Sequence, residues 1–252
     1  MDEVALELKD AREAVGNAQD VESFLREALK ACGAVVTKEG QGLAVNAREA
    51  ARGLVDRLPT SELRVAFSYP PPKGVTYVGR THPIVEAVAS HVVDGAMDLL
   101  VDGPARRCGA IRTRAVNIRT TLLLVRHRFE ITERRRDSVR AEIAEECRSL
   151  AFRGAPEQAA WLDDAGAKAL LDLSPDANIA PEQATEFVRK VVGSLESLTD
   201  HLVADAQARA ARLLESHQRV RAAARIVGQA CTVEAHLPVD ILGIYVLLPE
   251  AG

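Results

Sequence analysis

The sequence predicts an α/β (α+β) protein: a central β-sheet with surrounding helices, and one long helical arm, about residues 181–227, that returns to a buried carboxy-terminal strand. Three observations carry this reading. Ile111 to Ile131 is rich in Val, Ile, Thr and Leu and contains neither Gly nor Pro, a β-forming composition. From Pro181 to about Val227 apolar residues recur every three or four positions with no proline inside, the period of a helix. Pro238 to Pro249 is a near-continuous apolar run bounded by prolines, as a strand buried on both faces requires.

Taken in order, the first elements are small. Val4, Leu6 and Leu8 suggest one helix, and Val21, Phe24, Leu25 and Leu29 a second, with Asp20 as its cap and Gly33 as its stop. Ala34 to Asn46 reads as a hairpin turning at Lys38 to Gly42, and Ala47 to Leu58 as a third helix ended by Pro59. Residues 1–60 are thus expected to form a helical and hairpin region, and 61–252 an α/β module. Leu63 to Tyr69 alternates as a strand does until Pro70, Pro71 and Pro72 interrupt it, and Val75 to Val78 is a second short strand. The Pro70–Pro72 run and the Asp172–Pro181 loop are the candidate boundaries. Thr81-His82-Pro83 opens a helix through Ile84, Val85, Val88 and Val92, with His82 as a capping or packing residue.

Within Ile111–Ile131 the apolar parity changes. Leu122 and Leu124 fall on one face and Leu123, Val125 and Phe129 on the other, so the segment is buried on both sides or broken by a bulge or turn. Ala141 to Phe152 is a further strand, and Pro156 to Leu173 is expected as a helix through Trp161 and Leu162. The arm would reach roughly 70 Å at about 1.5 Å per residue if straight, with Gly193 as a point of bending.

Composition excludes several classes of function. The 252 residues hold no apolar run near 18 residues, so no membrane span is predicted. Only nine residues are aromatic, which argues against a single-strand binding surface of stacked rings. Cys32, Cys108, Cys147 and Cys231 are far apart and read as reduced thiols. The acidic amino terminus has no signal-sequence pattern, so a cytoplasmic location is expected. A net charge of −4 does not describe a globally basic nucleic-acid binder.

Catalytic motifs are absent from the sequence. It has no GxxxxGK[ST] loop, and its one GxG, at Gly40 and Gly42, lies in a hairpin. The six histidines never fall at HxH or HxxxH spacing, and no GxSxG elbow occurs, so neither catalytic residues, metal nor cofactor are expected. Charge is the uneven feature. Eleven arginines lie between Arg106 and Arg140 against three acids, a local balance of +8 that leaves −12 for the remainder. Arg112, Arg114, Arg126 and Arg128 share strand parity, Arg134, Arg135 and Arg136 follow, and then comes Arg140; a second cluster, Arg219, Arg221 and Arg225, ends the long helix. Two readings stay open. The arginines pair with acids of neighbouring elements, shield edge strands or solubilise the chain, or they form a basic ridge along a sheet edge that contacts nucleic-acid phosphates.

Several segments taken together carry a resemblance. They are Tyr77-Val78-Gly79-Arg80-Thr81-His82-Pro83-Ile84-Val85-Glu86-Ala87, Arg119-Thr120-Thr121-Leu122-Leu123-Leu124-Val125-Arg126, Ala144-Glu145-Glu146, Trp161-Leu162, His217-Gln218-Arg219-Val220-Arg221, and Pro238 through Pro249. In this order they resemble the carboxy-terminal region of bacterial Snf2-family helicase-like ATPases of the RapA-like branch, which includes the helicase component of DISARM-type phage-defence systems. The resemblance runs from about Val21 to Pro249. It implies an α/β module with a helical arm, carried behind two RecA-like motor lobes that bind ATP and track along duplex DNA. The Walker loop, the acidic DExH box and the arginine finger of those motors have no counterpart here, so no catalytic residue carries over.

The expected function is a non-catalytic accessory module of a Snf2/RapA-like helicase or translocase, contacting nucleic acid or docking the motor or a defence-complex protein. Two alternatives belong to other classes: an oligomerisation protein acting through the long helix, and a small-molecule enzyme with a site around Trp161, Asp163 and the His127 strand.

Overall fold

The computed structural model describes residues 18–98, 103–135, 138–223 and 230–250. The helix expected through Val4, Leu6 and Leu8 lies outside these residues, as do Arg136 and Arg225, and nothing is described of the Arg135 side chain. The chain divides into two units, Met1–Arg106 and Arg107–Gly252.

In the first unit, helix α1 (Ala18–Ala31) buries Val21, Leu25 and Leu29, spaced by four as one helical face requires. Asp20 falls in its first turn. Gly33, at φ +88°, ends it in the left-handed conformation that costs glycine least. Strands β1 (Val35–Glu39) and β2 (Gly42–Asn46) form the expected hairpin. The helix expected at 47–58 shrinks to α2 (Arg52–Val55), because flanking amides bond elsewhere: Ala47 N–H to Ser61 O and Ala51 N–H to Cys32 O. Strand β3 (Glu62–Ala66) pairs antiparallel with β2, and β4 (Thr76–Tyr77) runs parallel to β3. Helix α3 (Pro83–Met97) is capped by His82, whose Nδ1 accepts from the Ile84 amide at 3.2 Å. Val65 and Val88 share one core with Leu25 and Leu43. Pairing of β3 with β2 places residues beyond 60 in the amino-terminal unit, so the division falls after Arg106 and not at residue 60 or at the prolines.

The second unit is built on a five-stranded sheet of order β5-β9-β6-β7-β8. Its strands are β5 (Cys108–Thr113), β6 (Thr120–Arg135), β7 (Ser138–Arg153), β8 (Ala160–Trp161) and β9 (Ala230–Pro249). Strand β9 lies between β5, to which it is parallel, and β6, to which it is antiparallel, the central place that its apolar run demands. Both readings of the parity change at Leu122–Val125 hold: the segment is buried on both faces, and the β6–β9 ladder shifts register at Leu124/Val125 and again at Arg126/Arg128.

Two layers of helix cover this sheet. Helices α5 (Pro181–Gly193) and α6 (Thr199–Ala223), with the turn that joins them, bury Val191, Leu198 and Leu202 against Leu123, Val125, Phe152 and Val246. On the other face, the short α4 (Asp164–Ala169) packs Ala167 against Leu122, Ala151 and Leu247. The arm is therefore not one rod. It breaks at Gly193–Ser194, where Ser194 leaves helical geometry (φ −114°, ψ 14°) and a 3₁₀ turn, Leu195–Leu198, leads into α6. The helix expected from Pro156 to Leu173 is also replaced by shorter pieces. Ala160–Trp161 extends to pair with β7, Leu162 N–H bonds to Ala151 O, and the Asp163 side chain caps the new helix by accepting from the Gly166 amide at 2.8 Å. The Asp172–Pro181 loop stays within the unit, Ala177 bridging to Arg112.

Candidate functional site

Strands β6 and β7, at 16 residues each, extend for about 50 Å at about 3.3 Å per residue, with β9 and α6 beside them. The candidate arginines are distributed along this length, and their surroundings separate them into two groups.

The first group is held by the fold. Arg126 and Arg128 share one face of β6, as parity predicts, but β6 is an interior strand, so they do not form a ridge on a sheet edge. Both converge on Asp240 of β9. Arg126 donates to Oδ2 from Nε and Nη2 at 3.1 and 2.9 Å, and Arg128 places Nε 3.2 Å from the same oxygen. Glu145 adds a contact to Arg126 at 3.5 Å. Arg112, on β5, accepts the Asp176 amide at its carbonyl, and the Arg114 amide donates to the Asp176 carboxylate at 2.7 Å. That amide and the Thr113 hydroxyl hold the Asp176 carboxyl below its ordinary range. These residues fasten strands and the loop before α5.

The second group gathers at the far end of the ribbon. Arg134 is exposed on β6, opposite Val139 and Ala230. Arg140 stands opposite Glu133 in the β6–β7 register and pairs with Glu142. Arg221, from the end of α6, reaches Glu133 at 3.1 Å, which brings exposed Arg219 to the same end. Arg221 and Glu133 are 88 residues apart in the chain, and their contact brings the two arginine-bearing segments together.

On the face of β6 that α6 covers lies a network that the sequence did not reveal. Asp205 of α6 accepts from Arg148 Nη1 at 2.6 and 2.7 Å, and Arg148 Nη2 reaches Asp164 at 2.6 Å. His127, with none of its side chain exposed, places Nε2 3.0 Å from Asp205 Oδ2, although at an angle that leaves both ring nitrogens without a hydrogen bond. Burial pushes the Asp205 carboxyl up, but His127 and Arg148 outweigh it and hold the group at about 2. Arg209 pairs with Glu146 nearby, and His201, whose pKa burial lowers, stacks on Trp161 at 3.8 Å. A cavity of about 420 Å³ opens here, lined by Arg148, Asp163, Asp164, Asp205, Arg209 and Arg212.

The structure therefore assembles Trp161, Asp163 and His127 in one neighbourhood, the place named for a small-molecule site. Its chemistry is that of a clamp. Asp163 caps α4, Asp164 and Asp205 hold Arg148, and a carboxyl at about 2 is too weak a base to accept a proton at neutral pH. The available signal was Asp205 and Arg209, two charges at helical spacing flanking the buried stripe of Leu202, Ala206 and Ala210. Among the described residues, no three His, Cys, Asp or Glu side chains are grouped to hold a metal, and no helix is long and apolar enough to cross a membrane.

No curated protein matches this chain. Residues 101–252, which include the whole second unit with its ribbon and clamp, match the family model of a domain of unknown function, DUF8741, and the chain belongs to that family.

Proposed function

We propose that this chain is a non-catalytic accessory module that contacts the nucleic-acid backbone with the far end of its ribbon, and that it works beside a Snf2/RapA-like ATPase motor. The carrying observation is the meeting of Arg134, Arg140, Arg219 and Arg221 at one end of the second unit, from two segments that the chain keeps far apart. Among the described residues at that end, Glu133 and Glu142 each face an arginine already. The end is therefore basic on balance while most of the chain is acidic. Arginine suits such a role because its planar guanidinium meets phosphate oxygens in pairs, independent of base sequence. The motor partner and the phage-defence setting rest on the resemblance of the ordered segments, and the cytoplasmic setting on the amino terminus and the dispersed cysteines of the sequence.

The proposal is tested by mixing purified protein with labelled duplex and single-stranded DNA at low and moderate salt, together with an ATPase assay. Binding at low salt that weakens with added salt, and no ATP turnover with or without DNA, are the expected results. Measurable turnover contradicts the non-catalytic assignment, and the absence of binding at low salt contradicts the nucleic-acid contact.

A further inference from the structure

Strand β7 pairs with β6 along its whole length, but on its other side β8 covers only Phe152 and Arg153. Among the described residues, no backbone hydrogen bond from another element reaches Ser138–Glu146 on that outer edge. An edge of this length is a template for a further strand unless it is blunted. It contains no proline and no lysine, and its side chains are open: Val139 is 65% and Ile143 56% exposed, and the Arg140 and Glu142 side chains 74% and 55%.

The sequence of this edge is palindromic in chemistry: Val139-Arg140-Ala141-Glu142-Ile143. We propose that a second copy of the chain pairs antiparallel along β7 about a twofold axis at Ala141, joining two five-stranded sheets into one. Direct partners in an antiparallel ladder lie on the same face, so this axis sets Val139 against the partner's Ile143 and Arg140 against the partner's Glu142, each contact occurring twice. Both exposed apolar residues are covered, and the two in-chain Arg140–Glu142 pairs become a cluster of four alternating charges. Moving the axis to Glu142 sets that carboxylate against its own copy. Moving it to Ile143 directs Arg140 to the partner's Glu146, a carboxylate that Arg209 already holds within each chain. The Ala141 axis alone matches groups whose side chains are open to solvent. Arg140 belongs to both this pairing and the proposed nucleic-acid contact, whereas Arg134 and Arg219 take no part in the pairing, so R134A/R219A tests the nucleic-acid contact apart from dimerisation.

The interface is short, which places the dimer among weak, concentration-dependent associations. Sedimentation equilibrium of the full chain in reducing buffer is expected to show a mass rising toward twice the monomer at tens to hundreds of micromolar. E142R makes the opposed groups alike in sign and is expected to weaken association about tenfold or more, and R140E/E142R, which restores opposition with the charges exchanged, to recover it. Because all these positions are exposed, the monomer fold should survive, as circular dichroism will report. The axis is read by oxidation in a C108S/C147S background: A141C should crosslink two chains and I143C should not. A strict monomer throughout the range, a dimer indifferent to E142R, or crosslinking at I143C in place of A141C overturns the proposal.

Discussion

At Asp205, the charges around a single carboxyl have consequences for the stability of the whole second unit. Held at about 2 against an ordinary 3.8, it stabilises the fold when ionised. The lowered folded-state value means that this stabilisation is complete above about pH 4 and is lost as pH falls toward 2. The difference in unfolding free energy between pH 5 and pH 2 should therefore be smaller in D205N than in the parent, by on the order of 2 kcal/mol. At pH 7, D205N should itself cost about 3 kcal/mol, because Arg148 and His127 lose their shared carboxylate in a half-buried setting. Urea unfolding at the two pH values measures both quantities, and a D205N protein as stable as the parent at pH 7 contradicts the clamp. His82 was legible as a capping residue because its partner is two residues away. Asp205 was not, because Arg148 lies 57 residues back and only the packing of α6 on the sheet brings them together.

For whole elements, legibility followed how many structures one pattern can serve. Strand β6 was readable because a long run of β-branched and leucine residues without Gly or Pro leaves few alternatives, and the second half of β9 because the stretch from Pro238 to Pro249 is almost continuously apolar. Trp161 and Leu162 fit either a helix or a strand, and the free end of β7 decided between them by pairing Phe152 with Trp161. The three-and-four spacing after Pro181 continued through Gly193, yet the helix breaks there, which lets both α5 and α6 pack on the sheet. Close strand contact at the first hairpin makes a sharp prediction. A Cβ on Gly42 would stand 2.0 Å from the Val65 carbonyl oxygen, a backbone atom that cannot rotate away. G42A should destabilise the first unit by about 2–3 kcal/mol, measured by thermal or urea unfolding. An unchanged midpoint would show that β2 and β3 do not approach as described.

Taken as a whole, the molecule is two units with their own cores, the first centred on Leu25, Leu43 and Val65 and the second on Leu123, Phe152 and Val246. Residues 107–252 expressed alone should therefore unfold in a single cooperative transition, and a fragment without one contradicts the division at Arg106. The net charge of −4 conceals a basic stretch that the fold then sorts, bringing Arg126 and Arg128 to Asp240 and placing Arg134 and Arg219 at the far end of the ribbon. Sequence parity placed Arg126 and Arg128 on one face but not their acid partner, since Asp240 comes from a strand more than 100 residues later. The most direct measurement is the slope of log affinity for duplex DNA against log salt concentration, compared between the parent and R134A/R219A. Each phosphate contact contributes about 0.9 to the slope, so the double variant should be shallower by about 2, while R126Q leaves the slope unchanged. A parent protein that does not bind at low salt, or a slope that R134A/R219A does not alter, would contradict the account.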